Sequence, residues 1–179
     1  MKKTTIILFF FCLSLSYAQT FTLKSSELGG QATNKQLFKG FGCTGENISP
    51  QLRWENAPKE TKSFAITIHD PDAPTGSGWW HWVVFNIPNT INELSSDAGN
   101  TSKDLISKTA IQSKTDFGTY GYGGPCPPEG HGIHQYVITV YALKTEKIDL
   151  DKDAPPAMVG YYLNSNVIEK SSLVFYYQR

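Results

Sequence analysis

The sequence is low in charged residues and has no excess of either sign. Charged residues make up 18% of the 179-residue chain, below the roughly 25% usual for soluble domains, and 16 basic residues balance 16 acidic ones. A protein that neutralises nucleic-acid phosphates needs a surplus of lysine and arginine, so this balance argues against a nucleic-acid partner. Three cysteines are also too few for a small domain built on many disulfides.

Long apolar runs are missing, apart from one near the N-terminus. Two lysines precede the mostly apolar residues 6–15, and small residues stand at 16 and 18, the positions that a signal peptidase reads. This order predicts a secretory signal peptide over residues 1–18, a domain over 19–179, and a secreted or periplasmic location. The alternative is an uncleaved anchor, although the run is short for a membrane span. No later stretch predicts stable membrane insertion.

The rest of the chain can bury a core, because 13% of its residues are aromatic and its length fits one domain. Short strands account for most of the patterning. Residues 63–70 alternate between two faces, as expected of a β-strand. Residues 79–86 are apolar on both faces, which predicts a central strand, and simple alternation puts His81 on the face of Val83 and Phe85.

A third strand is predicted at residues 134–143, and helical patterning is scarce. One short helix is expected to begin near Pro155, with Asp153 as its cap. Many short strands with one or two short helices predict a mostly β fold, a Greek-key β-sandwich in a single domain. Weaker strand candidates are residues 20–23, 51–54, 109–113 and 173–177.

The first segment that carries chemistry spans residues 70–82. The strand that ends at Asp70 is followed by two prolines, which stiffen the turn and present Asp70 and Asp72 at the mouth of the sheet. The next strand begins with Trp79 and His81. An acidic rim beside an aromatic wall and an imidazole is the composition of a small polar pocket.

The second segment spans residues 121–136, a loop rich in glycine and proline that leads into a strand. It lacks the Lys-Ser/Thr ending of a phosphate-binding P-loop and enters no helix, which argues against a nucleotide site. His134 and Tyr136 lie on the same face of that strand. If the two segments meet, their imidazole and phenol groups could donate to a phosphate or carboxylate, with Asp70 and Asp72 orienting the imidazoles.

The two remaining cysteines of the predicted domain, Cys43 and Cys126, leave two alternatives open. An oxidising compartment permits a disulfide between them, which would stabilise the fold by about 4 kcal/mol. Two separate buried thiols, acting as small hydrophobic groups, fit the sequence equally well.

Three motifs resemble the phosphatidylethanolamine-binding protein (PEBP) family, and the bacterial Raf kinase inhibitor-like branch in particular. They are Asp-Pro-Asp-Ala-Pro with Trp-Trp-His within residues 70–81, Gly-Pro-Cys-Pro-Pro-Glu-Gly with His-Gln-Tyr within 124–136, and Phe-Gly-Cys-Thr-Gly-Glu-Asn opening 41–54. The resemblance implies a β-sandwich with a small anion-binding pocket and no metal or organic cofactor. Carried over by motif, the predicted ligand-binding residues are Asp70, Asp72, Trp79, His81, Cys126, Pro127, Pro128, His134 and Tyr136.

The resulting hypothesis is a non-catalytic binding module for a small anionic ligand or phospholipid head group, acting as a monomer or homodimer. His81, His134 and Tyr136 are expected to donate to the ligand. Affinity should then fall above the histidine pKa values, where imidazolium becomes neutral. The resemblance also implies a protein target, since some family members inhibit proteases or kinases.

Three alternatives stay open beside this hypothesis. One is a secreted inhibitor that inserts a loop into a protease or another hydrolase. Another is a weak hydrolase that uses His134 as a base oriented by Asp70. The third is a metal site of Cys126, His131 and His134, although no established metal-binding pattern supports it. His131 is otherwise expected to be exposed in its glycine-rich loop.

Overall fold

The structure, a computed structural model, describes residues 19–179, so the predicted signal peptide over residues 1–18 lies outside the described residues. Each element follows from local patterning, with apolar residues at period two in the long strands and Pro or Gly in the connections. The elements are β1 Thr22–Lys24, β2 Lys39–Gly40, β3 Cys43–Thr44, β4 Leu52–Glu55, β5 Ser63–Asp70, β6 Trp79–Pro88, β7 Glu93–Leu94, β8 Ile111–Gln112, β9 His134–Leu143, α1 Pro156–Asn166 and β10 Val167–Tyr177.

The strands form one large sheet and two smaller ones. The large sheet has the order β10-β9-β5-β6-β8, a three-stranded sheet has the order β1-β4-β7, and β2 pairs with β3. Neighbouring strands in all three sheets are antiparallel. The prediction of a mostly β, single-domain fold with a short helix is confirmed.

The main core lies between the large sheet and the three-stranded sheet. Alternate residues of β5 and β9 point into it, which is why Ile66, Ile68 and Ile138 are buried. The three-stranded sheet contributes Leu52 and Trp54 from the other side. Side chains of this size each stabilise the fold by about 1.5–3 kcal/mol when buried.

The opposite face of the large sheet is covered by α1 and the segment before it. Val83 and Phe85 of β6 pack there against Val159 and Leu163 of the helix. Because both faces of the sheet are covered, β6 reads as apolar on both sides, and it lies inside the sheet between β5 and β8 as a central strand.

One prediction about β6 is wrong, and a β-bulge is the reason. In the pairing with β5, Ile68 lies opposite Trp82 and His69 lies opposite Trp80, so His81 is an extra residue on its strand. The bulge separates His81 from Val83 and Phe85, which simple alternation had placed on its face. His81 instead faces the side of the sheet that carries the main core.

The start of α1 also differs from the prediction. Pro155 is the N-cap residue and makes no side-chain capping bond. Asp153, the predicted cap, accepts a hydrogen bond from the Tyr120 hydroxyl at 2.5 Å. Strands occur at all four weaker candidate segments, and the last of them begins earlier than predicted, at Val167, directly after the helix. Between residues 19 and 179, no helix combines the length and apolar character that crossing a membrane requires.

Candidate functional site

A cavity of about 200 Å³ opens at the end of the large sheet where β5 finishes and β9 begins. We call it the site cavity. Its buried lining comes from β5, β6 and β9, and its more exposed lining comes from the loops around them. The predicted residues on the lining are Asp70, Trp79, His81, Cys126, Pro127, Pro128, His134 and Tyr136, and the lining also includes Phe41, Ala73, Pro74, Thr75 and Phe117.

Strand order explains why the two motif segments meet here. β5 lies between β6 and β9, with Asp70 opposite Trp79 in one ladder and His69 opposite Val137 in the other. The ring of His81 therefore reaches the ring of Tyr136, edge to face, with 5.1 Å between the centroids. The structure thus brings both segments to one cavity.

Asp70 holds a buried imidazole in a fixed orientation. Its Oδ2 atom lies 2.7 Å from Nδ1 of His134, and the exposed fractions of the two side chains are 4% and 1%. The other oxygen, Oδ1, accepts the backbone N–H of Asp72 at 2.8 Å. A carboxylate can only accept while it is ionised, so Nδ1 of His134 carries the hydrogen.

His131 extends this chain of hydrogen bonds to the surface. It is exposed, as the sequence predicted, but its Nδ1 atom lies 2.7 Å from Nε2 of His134. Both ring nitrogens of His134 are consequently engaged within the protein. This contact corrects the expectation that His134 donates to a ligand, because neither nitrogen is free to do so.

Asp72 has a structural position that the sequence analysis did not predict. It was expected on the acidic rim, but it is absent from the lining of the site cavity. Its carboxylate accepts the backbone N–H of Gln135 at 2.8 Å. That bond ties the turn after β5 to the start of β9, and so fixes the distance between Asp70 and His134.

His81 is buried, and its ring is held by the backbone of the Gly123–Gly124 segment. Its Nδ1 atom lies 2.6 Å from the carbonyl oxygen of Gly123, and Gly123 N–H donates back to the carbonyl of His81 at 2.9 Å. A carbonyl oxygen only accepts, so Nδ1 carries the hydrogen and Nε2 of the neutral ring is an acceptor. Burial lowers the pKa of His81 from 6.5 to about 4, so the ring is neutral near pH 7.

Tyr136 lies beside His81 with an unpaired hydroxyl. This group is buried and makes no hydrogen bond of good geometry within residues 19–179, although the carboxylate of Asp70 lies close to it. Burial raises the pKa of Tyr136, and the nearby negative charge of Asp70 raises it further, so the hydroxyl keeps its hydrogen. The ring itself stacks on Phe175, with centroids 5.1 Å apart.

Phe117 is a wall residue that sequence reasoning missed. Its ring meets Trp79 and His81 edge to face, at centroid distances of 5.5 and 5.3 Å. Gly123 allows this approach, because a Cβ atom there would lie 2.5 Å from the Phe117 ring. Phe117 lies in a loop without periodic patterning, so no sequence signal singles it out.

The rim is tied by a disulfide between Cys43 and Cys126, whose Cα atoms are 6.0 Å apart. Arg179 lies against it, with Nη1 at 3.3 Å from Sγ of Cys43 and at 3.2 Å from the carbonyl oxygen of Phe41. A cysteine held in a disulfide offers no thiolate, which argues against the metal site that included Cys126 and His131. Among the described residues, no three or more His, Cys, Asp or Glu side chains are grouped so that they could hold a metal ion.

Comparison with known proteins shows the family of this chain. The family model of the phosphatidylethanolamine-binding protein matches residues 29–178. The chain belongs to the phosphatidylethanolamine-binding protein family. The match covers every element that lines the site cavity, and it confirms the family that the three motifs indicate.

Two bacterial relatives are similar over most of the chain. UPF0098 protein YbcL of Escherichia coli K12 is 48% identical over 163 residues, covering 90% of this chain and 89% of YbcL. UPF0098 protein YbhB of the same organism is 43% identical over 145 residues, covering 81% of this chain and 90% of YbhB.

Solved structures of PEBP relatives share the fold. The crystal structure of E. coli YbcL, presented as a new member of the mammalian PEBP family, has a TM-score of 0.87 at 48% identity and covers 89% of this chain and 98% of its own. The PEBP homolog CT736 of Chlamydia trachomatis has a TM-score of 0.72 at 25% identity and covers 89% and 97%. Ligand binding and inhibition of a protease or kinase stay predictions for this chain.

Proposed function

We propose that this PEBP-family protein is a non-catalytic binding module that holds a small phosphate- or carboxylate-bearing group in the site cavity. The observation that carries the proposal is the unpaired hydroxyl of Tyr136 beside an open cavity. A buried polar group without a partner costs about 1–3 kcal/mol. An oxygen atom of a bound ligand would accept that hydrogen and remove the cost.

The cavity also has the build of a preformed binding site. Its volume of about 200 Å³ suits a small head group. Pro127 and Pro128 restrict one side, the disulfide at Cys126 anchors that side to Cys43, and Asp72 anchors the opposite turn to β9. A rim restrained in this way loses little conformational entropy when a ligand binds, which favours affinity.

Fewer side chains can donate a hydrogen bond to the ligand than the sequence predicted. Of the three expected donors, Tyr136 keeps a free hydrogen, whereas the hydrogens of His81 and His134 point to Gly123 and Asp70. The expected loss of affinity above pH 6.5 also cannot come from His81, because its pKa is lowered to about 4.

The proposal includes a secreted or periplasmic location. The signal-peptide pattern over residues 1–18 supports it, and so does the disulfide between Cys43 and Cys126, since disulfides persist mainly in oxidising compartments.

NMR titration with phosphoethanolamine tests the binding function. The imidazole signals of His81 and the ring signals of Tyr136 should shift at millimolar ligand. Tyr136→Phe should weaken binding about tenfold through the lost hydrogen bond. Tyr176→Phe, at an exposed residue outside the cavity, is the matched control and should bind as the wild type does. Signals that stay unmoved with millimolar phosphoethanolamine and also with millimolar acetate would rule the proposal out.

Hydrolysis is the second candidate, and the chain of hydrogen bonds from Asp70 through His134 to His131 favours it. Asp70 orients His134, and Nε2 of His134 is engaged by Nδ1 of His131, so Nε2 of His131 rather than His134 would be the general base. Cys126 is held in the disulfide, so water would have to be the nucleophile. Turnover of p-nitrophenyl phosphate that disappears in His131→Ala would support this function. Turnover equal to that of buffer alone would exclude it for this class of substrate.

A further inference from the structure

We propose that the site cavity selects a phosphate monoester in its singly protonated form, because His81 and Asp70 present hydrogen-bond acceptors and the ligand must bring a hydrogen of its own. This inference rests on the proposed function and adds the protonation state of the ligand to it. His81 would determine the specificity, because its Nε2 atom accepts a hydrogen bond from the ligand.

The first step is the fixed direction of the His81 ring. Its Nδ1 hydrogen is committed to the carbonyl of Gly123 at 2.6 Å, and the Gly123 N–H donates back to the same strand. Nε2 has no partner within residues 19–179, and the ring lines the site cavity. A ligand atom that meets Nε2 must therefore carry a hydrogen.

The second step is an account of the hydrogens on the lining. The Thr75 hydroxyl donates to the carbonyl of Gly78, and the His134 ring donates to Asp70. Among the side chains of the lining, only the Tyr136 hydroxyl and the half-buried indole N–H of Trp79 keep hydrogens without a protein partner. The lining therefore offers donors at Tyr136 and Trp79 and acceptors at His81 and Asp70. Such a lining suits a ligand that can both accept and donate hydrogen bonds.

The third step concerns charge. The lining contains the carboxylate of Asp70 and neither a lysine nor an arginine. The nearest guanidinium described, that of Arg179, is directed at the carbonyl of Phe41 and the disulfide, and its Nε lies 3.9 Å from Glu129. A doubly charged ligand would be poorly compensated in such a cavity, whereas a singly charged one costs less desolvation.

The groups around His81 keep its Nε2 lone pair available. Asp70 on β5 favours protonation of the ring, His69 on the same strand opposes it, and burial outweighs both. Tyr136 and His134 of β9 complete the ionisable surroundings on the lining. The pKa of about 4 for His81 means that protonation of the ring plays little part at pH 5 and above.

A phosphate monoester fits these demands, because its second pKa is about 6. Below that pH it carries one negative charge and one P–OH hydrogen. A sulfate monoester has the same shape and the same single charge, and a phosphodiester also has a single charge, but neither carries a hydrogen. Sites built to receive a ligand hydrogen discriminate strongly against analogues that lack it.

Isothermal titration of the purified protein with methyl phosphate, methyl sulfate and dimethyl phosphate tests the inference. At pH 5, methyl phosphate should bind at least about tenfold more tightly than the other two ligands. Between pH 6 and 8 its affinity should fall about tenfold per pH unit, as its P–OH is lost. In Tyr136→Phe all three ligands should weaken together. In His81→Asn, where the amide can keep the bond to Gly123, the preference for methyl phosphate should disappear.

The outcomes separate this inference from the proposed function. Equal binding of methyl phosphate and methyl sulfate at pH 5 would overturn the inference and leave the binding function standing. So would binding of methyl sulfate that strengthens as the pH falls, because His81 would then supply the proton. An affinity for methyl phosphate that does not change with pH would also overturn the inference and leave the binding function standing. If none of the three binds at millimolar concentration but acetate does, the inference fails and the binding function stands; if acetate does not bind either, both proposals fail.

Discussion

Nδ1 of His134 lies 2.7 Å from Oδ2 of Asp70, and both side chains are almost completely buried. The same aspartate accepts the backbone N–H of Asp72. Asp70 thus joins the end of β5, the turn that follows it and the start of β9. Its carboxylate both orients a residue of the site cavity and stabilises the fold.

Asp70→Ala should lower the free energy of unfolding by about 3 kcal/mol, because it leaves the buried N–H of His134 without its acceptor. Asp72→Ala removes one hydrogen bond from an exposed side chain and should cost about 1 kcal/mol. Urea denaturation at pH 7 measures both changes. If the two variants unfold at the same urea concentration, the buried pair of Asp70 and His134 stabilises the fold no more than one exposed hydrogen bond does.

The turn between β5 and β6 offers a second test at Gly78. This residue has a positive φ of 74°, and a Cβ atom would lie 2.5 Å from the carbonyl oxygen of Asp70. Gly78→Ala should therefore destabilise the protein by about 1–3 kcal/mol and weaken ligand binding. Gly76→Ala is the matched control, because a Cβ atom there meets nothing within 4 Å. Thermal unfolding measures the melting temperatures of the two variants. Similar values would contradict the prediction that Gly78→Ala is the more destabilising change.

Burial of His81 makes the stability of the protein depend on pH. Its pKa is lowered from 6.5 to about 4, so the unfolded chain binds more protons than the folded chain between these values. The free energy of unfolding should fall by about 3 kcal/mol as the pH decreases from 6.5 to 4, and the loss should level off below pH 4. Denaturation at several pH values measures this slope.

His81→Asn is the control for that slope. The asparagine amide can still donate to Gly123 but does not titrate, so this part of the pH dependence should disappear even if the variant is less stable overall. A slope between pH 4 and 6.5 that is unchanged in the variant would assign the effect to other groups.

The disulfide provides a further prediction. Replacing Cys43 and Cys126 together by serine should cost about 4 kcal/mol, because the unfolded chain regains the freedom of a long loop. Affinity for methyl phosphate should fall as well, since the segment with Pro127 and Pro128 loses its tie to Cys43. Adding a reducing agent to the wild type should reproduce both effects. Unchanged urea midpoints with and without reductant would contradict the prediction.

The long strands were predictable because their signal is local. Alternation over residues 63–70 and the apolar runs at 79–86 and 134–143 follow from burial of one or both faces. The motif residues at the ends of those strands could be assigned to one site for the same reason. The face of His81 could not, because a bulge in β6 depends on its pairing with β5, which a single sequence does not reveal.

Contacts made by irregular loops were not predictable either. The Nδ1 atom of His131 reaches His134 only because the glycine-rich loop folds back at that point. Gly123, which fixes the direction of the His81 ring, acts through its backbone, so its role leaves no side-chain signature. Phe117 packs on the same ring from a loop whose path depends on the whole fold.

The lining of the site cavity comes from strands far apart along the chain, since Asp70 and His134 are separated by 64 positions. No short fragment contains it, because its residues extend from Phe41 to Tyr136, and strand pairings of such long range form slowly. Occupancy by a ligand therefore reports that β5, β6 and β9 are correctly paired. A compound library can accordingly be screened by melting temperature, because a ligand that binds only the folded state raises it. At a ligand concentration one hundred times the dissociation constant, the free energy of unfolding rises by about 2.7 kcal/mol.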